Sequence, residues 1–433
     1  MAASDTNLSA VAPQPGQDEF FGWYNHAEPK VRRVFWTCFL GWGLDSMDGL
    51  VYQYMIPVVV MSLGLTLAQA SSITSANYLA SAFGGWIGGW LADRYGRARI
   101  LKVTILWFSI FSALSGFAQN YWQLMGLRTL QGIGFGAEWA VGAVLLGEMV
   151  APAWRGRALG TVQSAAGIGS GVAALLAGPV AGLLPVYFGW RVVFWIGLLP
   201  ALLTLVISRQ AEESPLFKPE QEGERRHPFM VFGPTMLKTT LLAALLSFGA
   251  QGAAFSVSNF LSTFLSRERG IPISVVGVMI MFNSLGGFFG YLVNAYVSDK
   301  WGRRMTFRAF AVGFICAVTA YTCLPLGRSV WTLGPVGVVY GFFQFGIYAA
   351  FGPYFSELFP TEARTTGQAF VYNFGRAASA LYIQAVVVLV ALHMPINLGM
   401  ECTGIVGMVI AFATTFALPE TRGRDLRTVG VKA

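Results

Sequence analysis

Gly89-Trp90-Leu91-Ala92-Asp93-Arg94-Tyr95-Gly96-Arg97-Ala98-Arg99 joins two long apolar stretches of the chain. It carries one acid, three arginines and a glycine at its turn. So dense a set of charges does not sit in hydrocarbon, so the flanking apolar stretches end there. The pattern returns 206 residues later as Ala295-Tyr296-Val297-Ser298-Asp299-Lys300-Trp301-Gly302-Arg303-Arg304. Two further landmarks repeat at a spacing of 209, Glu148 with Glu357 and Arg155 with Arg364. Glu213-Ser214-Pro215 and Pro419-Glu420-Thr421 close the two repeats. The chain is therefore an internal duplication, with one charged loop and one acidic helix end in each copy.

Composition says what surrounds the loops. Of 433 residues, 55% are hydrophobic and 12% charged, about half the charged share of a soluble domain. Mean hydropathy is +0.57. A soluble enzyme, a disordered chain and a disulfide scaffold are excluded. At about 20 apolar residues per span, the pattern predicts an all-α membrane protein of twelve transmembrane helices in two six-helix repeats. The helices fall over 33–61, 70–92, 100–118, 121–149, 156–184, 188–208, 235–265, 273–297, 304–325, 329–356, 363–391 and 396–418. They divide the chain into a polar tail (1–32), a first bundle (33–208), a linker (209–234), a second bundle (235–418) and a closing tail (419–433). Residues 1–30 lack the apolar core of a cleaved leader, so the first apolar segment is expected to stay as an anchor. Cys38, Cys316, Cys323 and Cys402 lie in apolar stretches without metal-ligand or redox spacing and read as small buried hydrophobes.

Net charge is +8. With both termini inside, 23 of the 29 basic residues fall in cytoplasmic segments. Outer loops hold only Arg191, Arg267, Arg269 and Arg328, and Arg128 and Arg376 lie within helices. The bias sets orientation and removes nucleic acid as a partner. No strand precedes Gly132, Gly134 and Gly136, so those glycines are helix contacts rather than a nucleotide loop.

The loop at Gly89–Arg99, its copy with Ala295 in the first position, and Arg128-Thr129-Leu130-Gln131-Gly132 resemble the major facilitator superfamily. Trp23-Tyr24-Asn25-His26, Leu44-Asp45-Ser46-Met47-Asp48, Gly136-Ala137-Glu138-Trp139, Gly189-Trp190-Arg191 and Asn373-Phe374-Gly375-Arg376 resemble its organic-acid proton symporters, the sialate and monocarboxylate branch above all. Aromatic-acid and metabolite symporters share part of this set. The resemblance implies the superfamily fold in a bacterial inner membrane. It also implies uptake of a small organic anion with protons by alternating access, without a cofactor, by a chain that acts as a monomer.

Buried charges cost about 2.5–3.5 kcal/mol each at the bilayer centre and mark function. By helical rise, Asp45, Glu138 and Arg376 lie roughly 18, 16 and 20 Å into a core about 30 Å thick. Asp45 and Asp48 share a helix face. Two readings fit the pair: proton coupling, or a fixed ion pair of one of them with Arg128. Glu138 is the third candidate proton carrier. Arg376 suits a carboxylate by its two-pronged geometry. Arg128 lies nearer the outer end, where the resemblance implies coupling rather than ligand contact. Candidate binding residues beside Arg376 are Arg128, Tyr52, Gln131, Trp139, Gln251, Asn259, Tyr348, Tyr372 and Asn373. At the cytoplasmic end, Asp93, Arg94, Arg97, Glu148 and Arg155 should form one salt-bridge cluster, and Asp299, Arg303, Arg304, Glu357 and Arg364 another. Together they form a gate. The competing reading, sugar or polyol symport, has no use for Arg376; drug efflux is a third. No metal site is expected.

Overall fold

The structure is a computed structural model and describes residues 19–176, 185–196, 198, 213–214, 217, 228–271, 273–327 and 329–426. The helices are α1 (Gly22–Asn25), α2 (Pro29–Leu63), α3 (Leu67–Tyr95), α4 (Arg97–Ser115), α5 (Tyr121–Met149), α6 (Arg155–Leu175) and α7 (Val186–Ile196). After the linker come α8 (Leu237–Thr263), α9 (Ile273–Trp301), α10 (Arg303–Cys323), α11 (Val330–Gly346), α12 (Phe351–Leu358), α13 (Arg364–Ala391) and α14 (Ile396–Ala417). Among the described residues, eight helical segments are long and apolar enough to cross a membrane.

Local chemistry sets the boundaries. Pro29 opens α2, where its missing N–H costs nothing, and Gly64 closes it in the left-handed conformation at φ 63°. Thr66 and Gln69 cap α3 reciprocally. The glycines of the two charged loops, Gly96 and Gly302, hold φ values of 106° and 93°. That conformation favours glycine, which explains why both loops carry it.

Small residues then set the packing. The fourth predicted span of the first half crosses the second so closely that a Cβ on Gly136 would lie 1.8 Å from the Ser81 carbonyl oxygen. The second half repeats the contact between α9 and α11, where a Cβ on Gly341 would lie 1.9 Å from the Asn283 carbonyl. Gly136→Ala should therefore push α3 and α5 apart and cost on the order of 1–3 kcal/mol. An apparent melting temperature in detergent equal to the parent's would refute this. The halves meet through α3 against α13 and α6 against α9.

Several expectations need correction. The helix expected over 329–356 breaks into α11, a 3-10 turn at Ile347–Ala350, and α12. The tail expected over 1–32 contains α1, which buries Trp23. The ends of the spans expected over 156–184 and 188–208, and most of the linker, lie outside the described residues. Only Cys38 is buried; Cys316, Cys323 and Cys402 are exposed. In lipid an apolar side chain gains nothing by facing inward, so a cysteine in an apolar helix need not be core.

Candidate functional site

Three charged residues from three helices meet inside the molecule. Asp45 on α2, Glu138 on α5 and Arg376 on α13 are all buried. Asp45 lies within electrostatic reach of Glu138, Arg376 and Asp48. Glu138 packs against the backbone of α2, where a Cβ on Gly41 would overlap its Oε1. That is one turn from Asp45. Neither Asp45 oxygen has a hydrogen-bond partner among the described residues, nor does Glu138 Oε2. A buried carboxylate without donors is costly to leave ionised. Arg376 lies over the rings of Phe135, at 4.3 Å, and Tyr372, at 5.4 Å. Among the described residues, no carboxylate pairs with it within 4.0 Å. A buried cation thus lies within electrostatic reach of two buried acids, with both Asp45 oxygens and Glu138 Oε2 unpartnered among the described residues.

Aromatic rings enclose this centre. The Trp139 ring lies tilted at 4.9 Å from that of Trp42 and 6.2 Å from that of Tyr372. Phe351 lies 5.7 Å from Tyr348 and 6.0 Å from Tyr372. Gln163 on α6 donates to the Tyr348 carbonyl at 3.4 Å. Trp139, Tyr348, Tyr372 and Arg376 therefore come together as expected binding residues, with Trp42 added by the fold. Gln251 and Asn373 act differently. Gln251 Nε2 donates to the Tyr372 carbonyl at 2.7 Å, and Asn373 Nδ2 donates across the halves to the Gly136 carbonyl at 2.8 Å. Asn259 does not join them; it is exposed and donates to the Phe255 carbonyl of its own helix.

The pair Asp45–Asp48 is divided. Asp48 accepts from Arg128 Nη1 and from Gln131 Nε2, both at 2.9 Å, and from the Ser112 hydroxyl. Gln131 in turn accepts from Asn77 at 2.6 Å. Arg128 lies over the rings of Tyr52 and Phe194, and the Tyr52 hydroxyl donates to the Ala70 carbonyl. Of the expected ligands, Arg128 and Gln131 are partners of Asp48 within the first half, and Tyr52 packs its ring against Arg128. Asn77 and Ser112 complete that network, and no sequence spacing pointed to them. Asp48→Asn leaves a buried guanidinium short of its counter-charge. It should cost about 3–5 kcal/mol, with part recovered in an Asp48→Asn, Arg128→Met double variant. Apparent melting temperatures of the three proteins in detergent check this.

At the end bearing the charged loops, the halves are tied together. Asp93 accepts from the backbone N–H groups of Thr365 and Thr366, at 3.3 and 2.8 Å, at the start of α13. Asp299 accepts from those of Gly156 and Arg157, both at 2.9 Å, at the start of α6. Each aspartate caps a helix of the other half, where the helix dipole favours a negative charge. Glu148 binds Arg364 at 2.5 Å and Arg97 at 3.5 Å. Glu357 binds Arg155 at 3.0 Å and Arg303 at 2.9 Å. Arg155 and Arg364 thus exchange the clusters expected of them, because α6 and α13 start at the interface between the halves. Arg94 stacks on Trp90 and Tyr95 of its own half.

The closing segments of each repeat complete the clusters. Glu213 accepts from the backbone of Arg97 and Ala98, and Glu420 from that of Arg303 and Arg304. Burial alone would raise the Glu420 carboxyl, but the surrounding backbone N–H groups hold it below the usual carboxylate range. Ser214 donates to Glu148, and Thr421 to Glu357 at 2.6 Å. The chain then runs on across the seam. Arg155 donates to the Arg424 carbonyl at 3.2 Å, and Arg364 to that of Leu426 at 2.8 Å. The symmetric Glu-Ser-Pro and Glu-Thr endings were the available signal for this layer.

Duplicated helical halves, a buried charged centre between them and a tied seam at one end define a membrane transporter rather than an enzyme. Residues 37–383 match the Major Facilitator Superfamily, and the chain belongs to that family. It is 37% identical to a probable 4-methylmuconolactone transporter of Cupriavidus pinatubonensis, over 95% of each chain. It is 28% identical to the sialic acid transporter NanX of Escherichia coli, over 82% of this chain and 86% of that one. The solved structure of the proton:xylose symporter XylE bound to 6-bromo-6-deoxy-D-glucose superposes with a TM-score of 0.75. That match covers 92% of this chain and 98% of that one at 16% identity, and it speaks for the fold alone.

Proposed function

We propose that the protein is a monomeric proton symporter of the bacterial inner membrane that takes up a small organic anion with a largely apolar body. The observation that carries this reading is Arg376, a buried cation without a carboxylate partner among the described residues, set over Phe135 and Tyr372, with Trp139 against Tyr372 and Trp42 against Trp139. Its guanidinium edge fits a substrate carboxylate, and the rings fit an unsaturated or aromatic body. The names of the similar transporters, which concern a muconolactone and sialic acid, agree with an organic acid. The charged loops and both termini face the cytoplasm, following the distribution of Lys and Arg. The tied seam then closes the inner side, and this is a state whose route leads outward.

The cycle follows from charge. A substrate carboxylate pairs with Arg376, and a proton occupies Asp45, so neither charge is left uncompensated in a buried site. The loaded centre lets the halves rock, the crossed caps part, and the anion and proton leave inward. Glu138 is the relay beside Asp45. Asp93, Arg97, Glu148, Arg155, Asp299, Arg303, Glu357 and Arg364 form the inner gate.

Uptake of benzoate, muconate and xylose into proteoliposomes tests this, with and without an inward proton gradient. An acid should accumulate only with the gradient, and xylose should not. Acid uptake indifferent to the gradient, or sugar uptake without acid uptake, would overturn the reading.

A further inference from the structure

A short aromatic segment precedes the first long helix of each repeat and lies on the seam between the halves. The first, residues 19–25, includes α1 and leads into α2. The second is the 3-10 turn Pro228–Phe232, ahead of α8. Each is fastened to its own half. Trp23 is buried edge-on against Phe35 of α2 at 5.0 Å. Val231 is buried, and its carbonyl accepts from the Thr240 hydroxyl of α8 at 2.7 Å.

Each also reaches the other half. The Phe20 ring stacks at 6.1 Å on Tyr296 of α9. Arg157, near the start of α6, lies over the same Tyr296 ring at 5.0 Å and donates from Nη1 to the Glu19 carbonyl at 2.9 Å. In the second segment, the Phe232 ring lies 4.9 Å from Phe370 of α13 and 6.0 Å from Trp86 of α3. Trp86 Nε1 donates to the Pro228 carbonyl at 2.9 Å. The first segment therefore spans α6 and α9, and the second spans α13 and α3. These are the helix pairs through which the halves meet, and in the duplication each pair is the counterpart of the other. Tyr296 precedes Asp299 by three residues, and Trp86 precedes Asp93 by seven. Both contacts thus lie roughly 5–10 Å along their helices from the charged loops.

Aromatic pairs hold only at close range and in particular orientations. A movement that parts α6 from α9 and α13 from α3 at the charged-loop end must draw Phe20 off Tyr296 and Phe232 off Trp86, because each segment stays with its own half.

We infer that residues 19–25 and Pro228–Phe232 are paired straps that bias the carrier toward the state closed at the charged loops. They sit on different helix pairs and share no partner, so loss of one multiplies the effect of losing the other on the opening equilibrium. This rests on the alternating-access part of the symporter reading.

The test reads seam opening as the labelling rate of Ser356→Cys by a membrane-impermeant maleimide added at the charged-loop face, with the four native cysteines replaced by alanine. Ser356 is buried on α12 against the first half, where a Cβ on Gly147 would lie 3.8 Å from its Oγ. Ser109→Cys, buried on α4 within the first bundle, reports unfolding instead. Phe20→Ala and Phe232→Ala should each speed labelling at Ser356→Cys at least twofold, and together by the product of the two, with Ser109→Cys unchanged. The ring-keeping pair Phe20→Tyr, Phe232→Tyr should stay within 1.5-fold of the parent. The gate variant Asp93→Asn, Asp299→Asn should label faster and shows that the reporter responds to opening. Strap variants that label at the parent's rate while the gate variant does not, or an equal rise at Ser109→Cys, overturn the straps and leave the symporter reading to its uptake assay. A gate variant that labels at the parent's rate overturns the alternating access on which the straps rest.

Discussion

Asp45→Asn should abolish gradient-driven accumulation of the acid while leaving counterflow within about threefold of the parent. Asparagine keeps the size of the side chain and removes the exchangeable proton. The carboxylate site at Arg376 remains, so acid still exchanges for acid across the membrane. What is lost is the link to the gradient. Asp45 is favoured over its neighbours by what touches it. Asp48 is fixed by Arg128, Gln131 and Ser112, so a change in its charge would break a structural network. Asp45 is buried with both oxygens unpartnered among the described residues, and it lies within electrostatic reach of Arg376. Binding an anion at Arg376 therefore bears directly on the cost of charge at Asp45. Accumulation that survives the substitution would move the proton to Glu138, and Glu138→Gln would then abolish it.

Arg376→Ala should raise the KM for acid by about thirtyfold or more. Removing one partner of a buried charge pair costs about 2–5 kcal/mol, and each 1.4 kcal/mol is about tenfold. Arg376→Lys should recover only part of this. An ammonium keeps the charge but loses the planar fork and the flat contact with Phe135 and Tyr372. The fold should survive both changes, because no carboxylate among the described residues depends on Arg376 for an ion pair. Uptake kinetics beside apparent melting temperatures decide the matter. An unchanged KM in folded Arg376→Ala would remove Arg376 from the binding site.

The bundle and its duplication were legible because lipid imposes long apolar runs and the charged loops interrupt them at a fixed interval. The centre was legible in part. Asp45, Glu138 and Arg376 stood out because a charge in a span needs a reason, and depth along a helix can be counted. Depth does not give azimuth, however. Arg128 and Gln131 had the right composition for ligands and turned toward Asp48, and Tyr52 turned to Arg128 and the Ala70 carbonyl. Asn259 had the right composition and spends its amide on its own helix, at an exposed position. Trp42 looked like any apolar residue and packs against Trp139. The crossing of Arg155 and Arg364 was hidden for a related reason. Sequence neighbours suggest partners within one repeat, whereas the helices these residues open begin at the seam between repeats.

Asp93 finishes the first turn of a helix owned by the other half, and Asp299 does the same in the reverse direction. A protein with one such tie at one edge could swing open like a door, passing through positions in which it is ajar. Two ties of equal make, facing opposite ways across a pseudo-twofold axis, oppose that swing, since releasing one leaves the other engaged. The inexpensive movement frees both together. On the proposed cycle, a carrier built this way spends little time half open, and when idle it leaks few protons.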